Sequence, residues 1–383
     1  MGPDEGHRPE LRVRDVGPAR HRRRGDPVAV PEAAARGGRV SMMRPEQLPA
    51  PEDVLPRILA IGEEYEFASF LIGVRMEGAG SHEECSRAGR PLKEALGAML
   101  ERRLWPGRTV DFRRPELQIH IDAATGAVAA VPAPLFIGGR YVKLARTISS
   151  THWHHFGCGG RGCPVCSFRG HFAEGSVGEL IGRPLQAAAD GGKYYFHGAG
   201  REDIDVRMLG TGRPFIVEIA APRRRSLPYE RLAAEINAAA RNLAAVAGPL
   251  RPATAAMVTA IKEAAGEKTY LATVTAARPL PADAAARVGA LTGAVVAQET
   301  PHRVRHRRAE LVRTRAIAES FATVLDARSF IWQVRAGAGT YIKELASGDG
   351  GRTRPSLTEA LGVPVVIADL DVAAVHYRAP WEY

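Results

Sequence analysis

The sequence predicts an α+β protein of more than one domain, and three observations carry that reading. The chain has 383 residues, more than a single hydrophobic core usually organises. Its apolar residues pass several times between period-two alternation and helical spacing. A Gly- and Cys-rich stretch at 151–170 follows a compact strand, helix and hairpin set and precedes a longer series of strands and helices. The expected division is a tail at 1–43, a small α+β module at 44–150, a Cys-bearing insert at 151–175 and a larger C-terminal domain at 176–383.

Residues 1–43 are rich in Arg, Gly, Pro and Ala without sustained periodicity, and read as a disordered tail or as an upstream extension of a chain that starts at Met42 or Met43. Phe67-Ala-Ser-Phe70-Leu-Ile-Gly-Val74 reads as a buried strand, followed by a helix from Leu92 through Leu104. Leu117 to Asp122 alternates at period two, turns through Asp122-Ala-Ala-Thr-Gly126 and returns as Ala127 to Val131, which predicts a hairpin. This module is expected to end near Arg146. Beyond the Cys-rich stretch come a helix at Ser176–Ile181, a strand at Asp205–Ile219, a helix from Tyr229 to Val246 opened by Pro228, and strands near Tyr270–Thr275 and Phe330–Arg335.

Lys and Arg total 52 against 42 Asp and Glu, a formal charge of +10. That balance suits a polyanionic partner. Only six of the cations are Lys, so a coding bias toward Arg accounts for the charge equally well. No run of about eighteen apolar residues and no cleavable leader are present, so the chain reads as cytoplasmic, without membrane contact. Four Cys are too few for a disulfide scaffold, and three of them fall within nine positions. Cys85 stands apart as an ordinary thiol.

His155, Cys158, Cys163 and Cys166 form H-x2-C-x4-C-x2-C, and Gly157, Gly159, Gly160 and Gly162 supply the tight backbone a four-ligand knuckle needs. Three thiolates and an imidazole suit tetrahedral zinc in a closed, structural site. The plain alternative is a loop of reduced thiols, and His152 and His154 compete for the fourth position.

A second constellation is Gly200-Arg201-Glu202-Asp203-Ile204-Asp205-Val206-Arg207. If 203–207 is extended, Asp203, Asp205 and Arg207 share one face while Ile204 and Val206 turn to the core. Nearby guanidiniums keep a carboxylate ionised and able to act as a nucleophile. An ion-pair network that pins a loop to a sheet has the same spacing, and residue types alone do not separate the two.

Several motifs occur in a fixed order: Phe136-Ile-Gly-Gly-Arg140-Tyr141-Val-Lys143-Leu-Ala-Arg146, the Cys and Gly cluster, Ser176-Val-Gly-Glu-Leu-Ile181 and the Gly200–Gly210 segment. Gly212-Arg-Pro-Phe215, Thr300-Pro-His-Arg303-Val-Arg-His306-Arg307-Arg308, Gly339-Thr-Tyr341-Ile-Lys343 and Gly351-Arg352-Thr follow. In these motifs the chain resembles the archaeal and eukaryotic tRNA pseudouridine-54/55 synthase family from about residue 56 onward.

The resemblance implies an N-terminal RNA-binding module related to the THUMP fold, carrying the zinc knuckle, and a C-terminal pseudouridine synthase domain with a central mixed, largely antiparallel sheet. It implies Asp203 as the catalytic aspartate, Tyr270 of Lys268-Thr-Tyr270 as the residue that packs on the target base, and Lys343 as the basic partner of Asp203, helped by Arg201. Tyr341 joins the substrate-binding set, and Arg303, Arg305, His306, Arg307, Arg308, Arg313 and Arg315 are expected to hold phosphates. Lys143, Arg140 and Arg146 would extend that track. Without the resemblance, Tyr270 reads as a core aromatic and Lys343 as a surface cation.

The chain departs from the family pattern at three places. His155 replaces the first Cys of C-x2-C-x-G-x-G-C-x2-C, a further N-terminal Cys-x-x-Cys pair is missing, and Ser347 stands where His is usual before Gly-Asp.

The implied reaction breaks the N1–C1′ bond of uridine at position 54, 55 or both of tRNA, turns the base and rejoins it through C5. It needs no cofactor, and a monomer is expected. Asp203 attacks C1′ or C6, or deprotonates the sugar; the three routes stand open. The competing reading is a non-catalytic zinc-containing RNA-binding protein. A methyltransferase or thiolase would need a Gly-rich nucleotide loop between strand and helix, and Gly157 to Gly162 lacks that context.

Overall fold

A computed structural model describes residues 48–76, 89–152, 156–159, 161–170, 175–307 and 309–382. The expectations for the tail at 1–43 and for Cys85, His154, His155 and Arg308 fall outside these residues. No described helix is long and apolar enough to cross a membrane.

The N-terminal unit contains α1 (Pro51–Glu64), β1 (Ser69–Arg75), α2 (Arg90–Met99), β2 (Thr109–Val110), β3 (Leu117–Asp122) and β4 (Val128–Pro132). Pro51 opens α1 with Glu52 and Asp53 in the first turn, where acidic groups meet the helix dipole favourably. Val54 and Ile58 face inward. The four strands lie in the order β2-β1-β3-β4, with β1 parallel to both neighbours and β3–β4 the expected hairpin. Leu117, Ile119 and Ile121 alternate into the core, where Trp105 meets the rings of Phe67 and Phe70 edge-on at 5.0 Å each.

The expected boundary near residue 150 lies too far along. Leu135–Lys143 is β5, a strand of the second sheet rather than of the first module. Its run of inward residues suits a strand with neighbours on both sides. One edge pairs with β7 (Val206–Ile219), the other with β8 (Ala244–Val246) and β9 (Arg251–Pro252). Between β5 and β9 the chain also forms α3 (Val177–Ala188), β6 (Tyr194–Gly198) and α4 (Tyr229–Ala239). Ser176 caps α3 by accepting from the Glu179 N–H at 3.2 Å.

After β9 come α5 (Ala255–Glu263), β10 (Glu267–Ala276), α6 (Ala284–Gly289), β11 (Val295–Glu299), β12 (Val312–Val324) and β13 (Ser329–Ala336). The chain closes with α7 (Ile342–Ser347), β14 (Thr353–Arg354), α8 (Leu357–Leu361) and β15 (Val365–His376). The main path of the large sheet is β14-β11-β12-β13-β10-β15-β7-β5-β8, with β6 on β7 and β9 on β5, eleven strands in all among the described residues. It is mixed: β15 runs parallel to β7, and the other pairs are antiparallel. The α+β class with a large mixed, mainly antiparallel sheet is therefore the observed one.

One helix is shorter than its pattern promises. The periodicity predicts helix from Tyr229 to Val246, but α4 ends at Ala239 and the chain reverses through Arg241 and Asn242 at positive φ (46° and 66°). Ala244–Val246 then pairs with β5. Edge pairing of the central sheet satisfies backbone groups that a longer helix would leave facing it.

The two units meet through charged hydrogen bonds. Glu66 accepts the N–H groups of Arg225 (2.7 Å) and Ser226, the Arg225 guanidinium reaches the carbonyls of Glu116 and Ala133, and Arg223 pairs with Glu64 at 2.8 Å.

Candidate active site

A cleft of about 750 Å³ opens where the N-terminal end of β7 adjoins β15 and β10. Register places its wall: Met208 of β7 lies opposite Val372 of β15, and Val372 lies opposite Tyr270 of β10. Leu370 and Val372 form an apolar floor, and Asp203, Lys268, Tyr270, Arg303, Arg313 and Lys343 are among the polar lining.

Asp203 sits in the turn that delivers the chain into β7. The turn is closed by the Val206 N–H donating to the Asp203 carbonyl at 3.1 Å. Residues 203–205 are therefore not extended, and the expected shared face of Asp203, Asp205 and Arg207 does not form. Arg207 lies inside β7 and donates from Nε to Asp371 at 2.8 Å. Gly200 precedes the turn at φ +88°, where a Cβ would fall 3.0 Å from the Arg213 guanidinium.

The neighbours of Asp203 differ from the expected set. Its Oδ2 accepts from Arg303 Nη1 at 2.9 Å, while Lys343 Nζ is 3.9 Å away and instead donates to Asp205 at 2.7 Å. Burial raises the Asp205 carboxyl, but the Lys343 ammonium outweighs it and holds Asp205 below the usual carboxylate range. Arg303, expected among the phosphate binders, is itself fixed by Glu344, whose Oε1 accepts from Nε at 2.6 Å. Arg201 is exposed on the rim of the cleft.

Two short elements set these side chains. Arg303 projects from the 3-10 segment His302–Arg307, and Lys343 and Glu344 come from α7, with Tyr341 at its N-cap. Gln298 of β11 holds Tyr341 by its backbone, donating to the carbonyl at 3.0 Å and accepting from the N–H at 2.9 Å. Arg305 pairs with Glu310 at 2.8 Å and Arg313 donates to Thr300 at 2.9 Å. The side chains of His306 and Arg307 lie outside the described residues.

Next to Asp203 in sequence, Glu202 is buried and accepts from Tyr141 Oη (3.0 Å) and Arg213 Nε (3.0 Å), with both donors buried as well. Burial pushes the Tyr141 phenol well above its ordinary value, and the Glu202 charge adds to the rise.

Three residues expected to extend a phosphate track do something else. Lys143 has no exposed surface, and its ammonium donates to the carbonyls of Ile148 (2.9 Å), Asp203 (3.2 Å) and Ile204 (2.6 Å). Burial brings it down to about 8. Arg140 binds Glu382 at 2.6 Å and the Tyr377 carbonyl at 2.7 Å, and Arg146 binds Asp371 at 2.7 Å. Nothing local marks Lys143 as inward-pointing, since Val142 and Leu144 on either side of it are apolar. Glu202 carried no signal beyond its position beside Asp203.

The sulfurs of Cys158, Cys163 and Cys166 lie within 4.8 Å of one another. Cys166 Sγ is 3.8 Å from Cys163 Sγ and 4.0 Å from Cys158 Sγ. Thiolates on one tetrahedral zinc, at about 2.3 Å each, stand about 3.8 Å apart. Burial raises the Cys166 thiol, but the N–H groups of Cys163 and Gly170, each 3.2 Å away, and the adjacent sulfurs bring it down to about 6. The donor set fits a soft cation, and the fourth ligand expected at His155 falls outside the described residues.

Fold and cleft together define a class: an α+β protein whose mixed sheet presents one reachable carboxylate, braced by guanidinium and ammonium groups, in a basic pocket with a half-polar, half-apolar wall. A family model described as "Pus10, C-terminal" matches residues 136–376. Three curated relatives carry the name "tRNA pseudouridine synthase Pus10". The protein of Halorubrum lacusprofundi is 41% identical over 82% of this chain and 77% of its own length. That of Methanothrix thermoacetophila is 38% identical over 88% and 75%, and that of Archaeoglobus fulgidus 36% over 85% and 91%. The chain belongs to the Pus10 family. Among solved structures, "Crystal Structure of a Cbf5-Nop10-Gar1 Complex" is 17% identical at a TM-score of 0.31, covering 50% of this chain and 43% of its own. "Crystal structure of pseudouridylate synthase" is 11% identical at 0.23, covering 69% and 79%. Scores this low carry no structural argument.

Proposed function

We propose that this chain is a tRNA pseudouridine synthase that isomerises uridine 54, uridine 55 or both, with Asp203 as the nucleophile. The observation that carries the reading is the state of Asp203: a carboxylate at the wall of a basic cleft, held by Arg303 at 2.9 Å and still 38% exposed, in a family whose curated members bear that activity in their names.

The reaction has no redox change and consumes no energy, so side chains suffice. The target base must first leave its stack, at a cost of a few kcal/mol. Tyr270, whose phenol is raised by burial against the opposing influence of Arg213, packs on the extruded uracil in this reading, which is worth about 1–3 kcal/mol. Asp203 then attacks C1′ or C6, or takes a proton from the sugar. Arg303 aims the carboxylate, with Lys343 behind it through Asp205. Glu344 orients Arg303, and Lys143 ties down the turn that carries Asp203. Arg201, Tyr341, Arg307 and Arg308 are assigned to RNA binding.

In the same reading the α1–β4 unit is a THUMP-like RNA-binding module, and residues from β5 onward form the catalytic domain. Cys158, Cys163 and Cys166, with His155, hold a structural zinc that braces the segment between β5 and α3. The metal takes no part in the chemistry.

Purified protein mixed at low salt with tRNA carrying 5-³H-uridine is expected to release tritium, because C5 loses its hydrogen only when it becomes the new attachment point. Mapping the product by nuclease digestion and mass spectrometry should find pseudouridine at 54 or 55. Tritium retained on every tRNA tested would overturn the proposal.

A further inference from the structure

Lys268 of Lys268-Thr-Tyr270 has no role in the scheme above, yet its surroundings set it apart. It lies on β10 two residues before Tyr270, so the two side chains rise on the same face of the strand, and both line the cleft. Among the described residues no acid or acceptor comes within bonding distance of its ammonium. The carboxylates that line the cleft with it are taken: Glu202 by Arg213 and Tyr141, Asp203 by Arg303. Its cross-strand partners are Ala336 of β13 and Val375 of β15, which carry no charge. Burial brings Lys268 down to about 8, and the nearby Arg213 adds to the depression, with no acid pulling the other way.

A half-buried ammonium without a counter-charge costs stability. Folded proteins that retain such a group in a cleft place it where a ligand supplies the missing charge. Here the ligand's charge must appear beside Tyr270, at the base that packs on it.

We propose that Lys268 is a catalytic residue that donates a hydrogen bond to a uracil carbonyl oxygen and stabilises the negative charge that develops on the ring. The inference rests on the tRNA pseudouridine synthase reading above. When the N1–C1′ bond breaks, its electron pair goes to uracil N1 and spreads over O2 and O4. Asp203 either bonds to C1′ or takes a proton from the sugar. If Asp203 instead adds to C6, the displaced electron pair reaches O4. Each route loads a carbonyl oxygen with charge. Lys268 keeps its proton throughout; C5 then bonds to C1′, the Asp203 bond to C1′ or C6 breaks or the sugar proton is returned, N1 takes a proton from solvent and the C5 hydrogen leaves to solvent. A preorganised donor at a developing oxyanion is stronger in the transition state than in the ground state, which is the condition for it to raise rate rather than affinity.

The shared chemistry is an anionic oxygen, and the phosphate of the flipped nucleotide is a second source of one. Single-turnover tritium release at saturating enzyme, paired with tRNA affinity across salt concentrations, separates them. Lys268→Met is expected to slow the single-turnover step about 100-fold while the Kd for tRNA changes less than about threefold. It should melt no lower than wild type, since a buried unpaired charge is removed. Lys268→Arg should recover at least part of the rate. The wild-type rate should fall as pH rises through about 8, where Lys268 loses its proton, and fall more steeply than the Lys268→Arg rate, which keeps only the fall set by Lys143, also near 8. His152, Arg201, Glu202, Asp203, Arg213, Tyr270, Arg303, Arg313, Arg315, Tyr341 and Lys343 face the same cleft, Lys143 lies behind the Asp203 turn, and all remain in both proteins.

A Lys268→Met rate within threefold of wild type overturns the inference. So does a loss confined to Kd with a salt slope lower by about one, the signature of a phosphate contact. Wild-type protein that releases no tritium overturns the functional reading itself, so the two failures are distinct.

Discussion

Glu202 and Asp203 are consecutive carboxylates with opposite surroundings. Glu202 has 1% of its side chain exposed and two buried donors on its oxygens. Asp203 is 38% exposed, with one guanidinium at 2.9 Å and an ammonium at 3.9 Å. A carboxylate whose lone pairs are filled by buried partners cannot attack anything without breaking the core around it. One that is held by cations yet reachable can. The difference separates a residue that builds the site from one that works in it, and it arises within a single turn.

The comparison can be broken at several points, and the largest effect falls on Glu202. Glu202→Ala leaves Arg213 and Tyr141 buried without their acceptor, and should cost about 3–5 kcal/mol of stability, read from urea or thermal unfolding. A loss under about 0.5 kcal/mol would put Glu202 in the surface class and void the contrast. Lys143→Met comes next. Three carbonyls lose their donor, two of them in the Asp203 turn. The expected result is about 1–3 kcal/mol of stability and a slowing on the order of 100-fold from misplacement of the carboxylate. Affinity for tRNA should hold, because this lysine has no exposed surface.

Arg303→Gln should be milder. The pair with Asp203 is 39% and 38% exposed, and such pairs are worth about 1 kcal/mol or less; a slowing of roughly five- to tenfold is expected, with about 1–3 kcal/mol of stability lost because buried Glu344 gives up its guanidinium donor. The smallest catalytic effect belongs to the Cys knuckle. Zinc measured by atomic emission should copurify, and Cys158→Ser should lower it. Stripping the metal should reduce the melting temperature while the rate at saturating enzyme stays within about twofold, as for a closed structural site.

Much of the framework was legible because local rules coincide with the fold. The Asp122–Gly126 hairpin turn, the Ser176 cap and the period-two strands around Tyr270 and Phe330 needed no tertiary information. Asp203 and Lys343 were singled out by motif, and the chain folds them to within 4 Å of each other. What local pattern does not carry is contact between segments distant in sequence. Leu243–Val246 continues an apolar helical pattern, yet β5 draws it into the sheet. Leu135–Lys143 was placed with the first module because it adjoins it in sequence, and its hydrogen bonds run to β7. Lys143 looked like part of a basic surface because nothing local shows that three carbonyls await it. Nothing local shows the link of Arg303 to Asp203, which spans 100 residues.

The central claim is that Asp203 performs the chemistry while its neighbour only builds the site. Single-turnover tritium release from 5-³H-uridine tRNA by Asp203→Asn tests it most directly, with melting temperature and tRNA affinity measured on the same preparation. The account predicts a variant that melts and binds as wild type does and releases tritium at least about 1,000-fold more slowly. Release within tenfold of wild type by a folded Asp203→Asn protein would contradict it.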